Sequence, residues 1–245
     1  MDATGKKSAR TFAPGPLMTL ATVALLALFL SLGRWQWNRG VDRQAQWDAF
    51  ARGGGAAVPV SGPGLASLER FTRVALRGAY DGGQQFLLDN RSFEGRPGFE
   101  VLTILRLVDG SAIPVDRGWI PFDGYRDRLP AILVASDERQ VIGRIDHLPS
   151  GGLDSGRAPP ATTGPWPRLT SFPLTADLQA TYGAPLLDGM VLLDPGEPDG
   201  YLRKWRPPGL EPDKHKSYAI QWWGFAVLLL VLYVGLNFKT REPRP

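Results

Sequence analysis

The chain has 245 residues, no cysteine, two histidines and a formal net charge of +4. Lack of thiols excludes disulfide stapling, iron–sulfur ligation, thiolate catalysis and soft cysteine copper sites. The three methionines, Met1, Met18 and Met190, are too scattered for a thioether site. Once two uncharged apolar stretches are set aside, the length leaves one soluble domain.

The N-terminal tail carries Lys6, Lys7 and Arg10 against Asp2. The first apolar stretch, 16–32 (PLMTLATVALLALFLSL), approaches the roughly 17–20 residues that carry a helix across a bilayer core. Its exit, from Gly33 to Arg39 (GRWQWNR), is bulky and charged where signal cleavage needs small residues, which predicts a retained anchor rather than a signal peptide. Residues 35–50 continue as helix off the membrane and stop at Gly53-Gly54-Gly55, and 56–68 reads as loop.

Short strands follow. Arg73–Tyr80 and Gln85–Asp89 flank Asp81-Gly82-Gly83, read as a hairpin turn, and Phe99–Leu107 and Ala112–Asp116 flank Asp109-Gly110, a second one. Val141–Ile145 and Met190–Asp194 are further strands, 149–167 an irregular loop, and Leu174–Tyr182 a short helix. The pattern predicts a small, mostly antiparallel sheet or barrel.

The second apolar stretch runs over 217–236, and Lys239, Arg241 and Arg244 stand against Glu242 beyond it. Each tail has three basic residues and one acidic, so the tails account for the whole net charge. The positive-inside rule places both tails in the cytoplasm and the middle region across the membrane, and the near-neutral middle gives no support to nucleic-acid binding. The expected fold class is two transmembrane helices flanking a mostly antiparallel β (α+β) extracytoplasmic domain. Its expected divisions are a tail 1–15, a helix 16–34, a β-rich domain 35–214, a helix 215–237 and a tail 238–245. The N-terminal tail is too short and too poor in Arg and Ser for a transit peptide, which favours a bacterial inner membrane with the domain in the periplasm.

His215 sits at the lip of the second span, followed by Tyr218, Gln221, Trp222 and Trp223. At helical spacing Tyr218, Ala219 and Trp222 stand beneath it, a combination of one nitrogen donor, aromatic walls and lipid access that suits haem. The competing reading is an ordinary aromatic belt, with Ala219, Gly224 and Ala226 letting two helices pack closely. Trp35 and Trp37 leave the first span on the same side as Trp222 and Trp223, and Gln36 and Gln221 suit a role in tying the helices together. Arg34, Arg39, Arg206, Lys214 and Lys216 suit haem propionates or, more commonly, lipid phosphates. Arg117 and Trp119 form either a contact surface or a strand end. With only His147 and His215 available, and no H-E-x-x-H helix or phosphate-binding Gly loop, no enzymatic activity is expected.

Four segments carry a family resemblance: Leu32-Gly33-x-Trp35-Gln36-x-x-Arg39, Asp89-Asn90-Arg91 with Pro97-Gly98-Phe99, Val115-Asp116-Arg117-Gly118-Trp119-Ile120-Pro121, and His215-x-x-Tyr218-Ala219-x-Gln221-Trp222. In this order between two terminal spans, the chain resembles the Surf1 (Shy1-type) cytochrome c oxidase assembly factors. The resemblance implies a membrane chaperone that acts around insertion of haem a into the oxidase catalytic subunit, with His215 as the haem ligand. The candidate cofactor-binding set is His215, Tyr218, Trp222, Trp35 and Gln36. The implied partners are the catalytic subunit and its assembly intermediates, the haem a synthesis machinery and membrane lipid. One departure is Asp116 where the family has Asn, and a carboxylate there is expected to pair with Arg117. Rival readings are a cofactor-free scaffold for an oxidase subunit and, more weakly, an envelope enzyme using carboxylates of the β domain.

Overall fold

Proline is suited to the first position of a helix, where its missing N–H would have no partner, and helix α1 starts at Pro16 and runs unbroken to Arg52. The computed structural model describes residues 10–125, 128–151 and 156–240. Asp2, Lys6, Lys7, Arg241, Glu242 and Arg244 of the charged tails, and 152–155 of the predicted loop, lie outside the described residues. At 1.5 Å per residue α1 is roughly 55 Å long, well beyond a hydrocarbon core of about 30 Å, so its polar second half extends past any apolar span. It stops where a Cβ at Gly53 would lie 2.0 Å from the Phe71 carbonyl oxygen. Helix α3, Pro212–Leu236, also opens on proline, with Asp213 favourably placed in its first turn. Both helices are long and apolar enough to cross a membrane. The tails that flank them pair as a small antiparallel ribbon, β1 (Arg10–Phe12) against β9 (Phe238–Thr240).

The chain divides into two compact units, one formed by the sequence up to Trp47 together with that from Pro208, the other by Asp48–Pro207. In the second unit the strands are β2 (Val58–Pro59), β3 (Arg73–Phe93), β4 (Arg96–Leu107), β5 (Ala112–Pro121), β6 (Arg139–Asp146), β7 (Arg168–Thr170) and β8 (Met190–Leu193), with helix α2 at Thr175–Tyr182. The ladder β3-β4-β5-β8-β6 returns to β3, so five strands close into a ring and leave no free edge among them. Most pairings are antiparallel; β5 with β8, β2 with β3 and β7 with β3 are parallel. Strand β4 is apolar on successive residues because both its faces are covered. Leu105 and Leu107 join Val74, Leu76, Tyr80, Ile113, Val115 and Val141 on one face, while Leu102 and Ile104 meet Phe86, Leu88 and Leu178 of α2 on the other.

Asp81-Gly82-Gly83 is not a hairpin turn. Strand β3 runs straight through it, and residues 81–84 bulge opposite Ile104, between the pairs Tyr80–Leu105 and Gln85–Thr103. A flexible Gly pair serves a bulge as well as a turn. Here the bulge is pinned by the Gln85 side-chain amide, which donates to the carbonyls of Gly82 (3.0 Å) and Ile132 (2.6 Å). The hairpin connecting β3 to β4 is Glu94-Gly95, both at positive φ, as the twist of a two-residue turn demands. The predicted turn at Asp109-Gly110 joins β4 to β5, and α2 spans the predicted helix.

Asp116 and Arg117 do not pair. Neighbours on a strand point to opposite faces, and each is buried among its own partners. Asp116 Oδ1 accepts from the Gly118 N–H at 2.9 Å, while its Oδ2 has no hydrogen-bond partner. Arg117, 2% exposed, donates to the Asp199 and Leu133 carbonyls, Gln85 Oε1 and Thr103 Oγ1. Its guanidinium also lies near the Tyr80 and Tyr201 rings. Trp119 is buried too, its indole against Gly98, where a Cβ would come within 2.4 Å of the ring. Of the two readings offered for Arg117 and Trp119, these positions fit the strand end and not a contact surface.

Candidate functional site

The helix unit brings together the first and last of the four sequence segments. Down one face of α3 run His215, Ala219 and Ala226, all buried, and α1 answers with the buried Gly33 and Gly40. Seven residues apart, these glycines fall on one face of α1 and let a neighbouring helix approach. A Cβ on Gly33 would lie 2.3 Å from Trp223 Nε1, and one on Gly40 would be 3.4 Å from His215 Cβ and 3.2 Å from Lys216 Cγ.

Polar and aromatic contacts follow the same seam. His215 Nδ1 meets Gln36 Oε1 at 2.8 Å. A carboxamide oxygen only accepts, so in this pairing Nδ1 carries a proton, and in the neutral form of the ring Nε2 keeps its lone pair. Above it Lys216 Nζ donates to Gln44 Oε1 at 3.3 Å. Below it the Trp37 and Trp223 rings lie 5.8 Å apart, and Trp222 forms an aromatic group with Phe29 and Phe225 at 5.7 and 5.8 Å. Farther down, Thr19 Oγ1 and Tyr233 Oη are 2.7 Å apart.

Of the five predicted site residues, His215 and Gln36 are joined directly. Trp222 lies two turns along α3 within the aromatic group, whereas Trp35 (59% exposed) and Tyr218 (46% exposed) face outward. Gln221 is exposed, so the tie between the helices falls to Gln36. Ala219 and Ala226 are buried, in keeping with close helix packing, while a Cβ at Gly224 would meet only open space. Trp223, Phe29 and Gly40 had no assigned place in the site. The signal for Gly40 was its seven-residue spacing from Gly33; the contacts of Phe29 depend on the register between helices and have no local mark. His147 belongs to the other unit, where it lines a cavity of about 460 Å³ with Arg157, Phe172, Thr175 and Asp188.

Among the described residues no three of His, Asp and Glu gather as a metal-holding group. What the helix unit offers is a single imidazole with one nitrogen fixed by a hydrogen bond and aromatic rings nearby. That donor chemistry fits a metal held mainly by its own macrocycle, as in haem, better than a bare ion that needs several protein ligands.

The model of the SURF1 family matches residues 23–227. The chain belongs to the SURF1 family. The match starts inside α1 and ends inside α3, so it takes in Gln36, His215 and the whole β unit. No curated protein matches the chain. The SURF1 family is linked to cytochrome c oxidase assembly, which makes this protein a membrane assembly factor whose partners are oxidase subunits. In this SURF1 protein, Arg117, Gly118, Trp119 and Gly98 are building elements of the β unit, and His215 with Gln36 is one of the polar contacts of the helix seam.

Proposed function

We propose that this protein binds haem a through His215 and assists its insertion into the catalytic subunit of an aa3-type oxidase, without catalysing a reaction itself. The carrying observation is the hydrogen bond from His215 Nδ1 to Gln36 Oε1, which leaves Nε2 as the nitrogen with a free lone pair. A single protein ligand suits a carrier that must release its cargo. Trp222 stands along α3 to meet the macrocycle, and Arg34, Arg39 and Lys214 supply cations for its propionates. With basic residues in both tails, the protein sits in a bacterial inner membrane with its termini in the cytoplasm and the β unit in the periplasm.

The test is the absorption spectrum of detergent-purified protein, wild type and His215→Ala, co-expressed with haem a synthesis. A Soret and reduced α band present in wild type and lost in the variant support the reading. Equal haem in both proteins sinks the ligand assignment.

A second reading, a cofactor-free scaffold that holds an oxidase subunit, is favoured by the burial of His215, which is only 8% exposed. In that case the histidine acts as a clasp between helices. Colourless wild-type protein that still restores oxidase assembly in a deletion strain would decide for it.

A further inference from the structure

We infer that Gln36 is a positioning residue for His215: by accepting the Nδ1 proton it selects one imidazole tautomer and makes Nε2 the metal-binding nitrogen. The second clause rests on the haem reading above; the first stands without it.

Three observations support it. The Nδ1 to Oε1 distance of 2.8 Å is that of a well-formed hydrogen bond. Both residues have backbones fixed in long helices, with His215 Cβ seated over Gly40, so the imidazole has little freedom to turn. The neighbouring charge is already engaged, because Lys216 Nζ donates to Gln44 and Asp213 instead of competing for the Gln36 oxygen. Free imidazole exchanges between tautomers, and an acceptor at one nitrogen settles which one is protonated. Histidine ligands to metals generally donate their other N–H in this way, and loss of such a partner typically weakens binding about 10–100-fold. With haem bound, the Gln36 oxygen would also make the ring a stronger electron donor, which would favour ferric over ferrous iron.

Only His147 and His215 contribute histidine signals, so the ring nitrogens can be read directly by ¹⁵N NMR of histidine-labelled full-length protein in detergent, with His215→Ala giving the assignment. Above the imidazolium range, wild type is expected to show His215 as a single Nδ1–H tautomer. Gln36→Leu is expected to give a mixture, and Gln36→Glu, which keeps an acceptor, to restore the single form. His147 serves as the internal control and circular dichroism confirms that each variant folds. With haem added, Gln36→Leu is expected to bind about 10–100-fold more weakly and to raise the iron midpoint potential, while Gln36→Glu lowers it below wild type.

An unchanged His215 tautomer in Gln36→Leu overturns the inference. So does an altered tautomer with unchanged haem affinity and potential, because Gln36 would then have no effect on the ligand. If wild type binds no haem, the proposed function and the metal clause fall together, and the NMR result still decides whether Gln36 sets the tautomer.

Discussion

Two of the buried polar side chains in this protein, Arg117 and His215, are held very differently. In the β unit Arg117 is tied by four hydrogen bonds to β3, β4 and two loops, and lies near two tyrosine rings. In the helix unit the His215 ring is tied once, to Gln36. A group held on all sides has no capacity left for a ligand and does its work by fixing the backbone around it. A group held once is oriented yet keeps a free lone pair. Both occur in family motifs, so motif membership alone does not separate architecture from binding; the number of ties does.

The sharpest way to break this contrast is Arg117→Ala. It removes donors from the Asp199 and Leu133 carbonyls, Gln85 and Thr103 at once, and leaves a large buried void beside Tyr80. We expect a loss of about 3–5 kcal/mol, in the range for breaking a buried charged network. Near-UV circular dichroism and urea titration of the full chain will show it, with helical signal from α1 and α3 retained. His215→Ala, by contrast, should leave the urea midpoint of the β unit unchanged. Comparable destabilisation of the β unit by both substitutions would mean that the number of ties is no guide to role.

A smaller effect is expected at Asp116. Its carboxyl is fully buried and one oxygen has no partner. Burial pushes its pKa well above the ordinary carboxylate value, and nearby Glu100 raises it further. The Glu100 carboxyl is also raised by burial, against the pull of Arg91. The sign follows from linkage. Below the ordinary carboxylate range both folded and unfolded chains are protonated; as pH rises through about 4 the unfolded chain ionises while the folded one keeps its proton. Stability therefore falls with rising pH until the raised folded value is passed. Asp116→Asn keeps an acceptor for the Gly118 N–H and removes the ionisation, so it should stabilise the β unit at pH 8 and much less at pH 4. A stabilisation that is equal at both pH values would show that the folded Asp116 carboxyl is not raised above its unfolded value.

How much was legible beforehand follows the same division. The two spans, α2 and the turn at Asp109-Gly110 have local signals in apolar length, periodicity and Asp-Gly chemistry, and they appear where expected. The Asp81-Gly82-Gly83 bulge has the sequence of a turn, because glycine announces unusual backbone without saying whether the chain reverses. What decides is the Gln85 amide reaching Ile132, 47 positions away. At the candidate site His215 and Gln36 were both visible as residues of interest, yet their union across 179 positions depends on the register between α1 and α3. The outward placement of Tyr218 has the same origin: a helical wheel gives neighbours on one helix, and only the second helix decides which side is covered.

The smallest expected effect tests whether any single polar tie governs the helix seam. Thr19 Oγ1 donates to the Gly15 carbonyl at 3.0 Å, and a hydroxyl has one proton, so Tyr233 must be the donor in the 2.7 Å contact between them. Tyr233→Phe removes that donor and nothing else: Thr19 keeps its backbone bond, and the ring keeps its edge contact with Phe12. Hydrogen bonds between membrane helices average about 0.6 kcal/mol, so the helix pair should lose roughly that much, read as a small shift in an SDS unfolding titration in mixed micelles. A loss above about 2 kcal/mol would place the main hold on the seam at Thr19 and Tyr233. A loss near the average leaves the seam resting on Gly33 and Gly40 packing, and leaves the Gln36 bond to His215 free to serve orientation rather than stability.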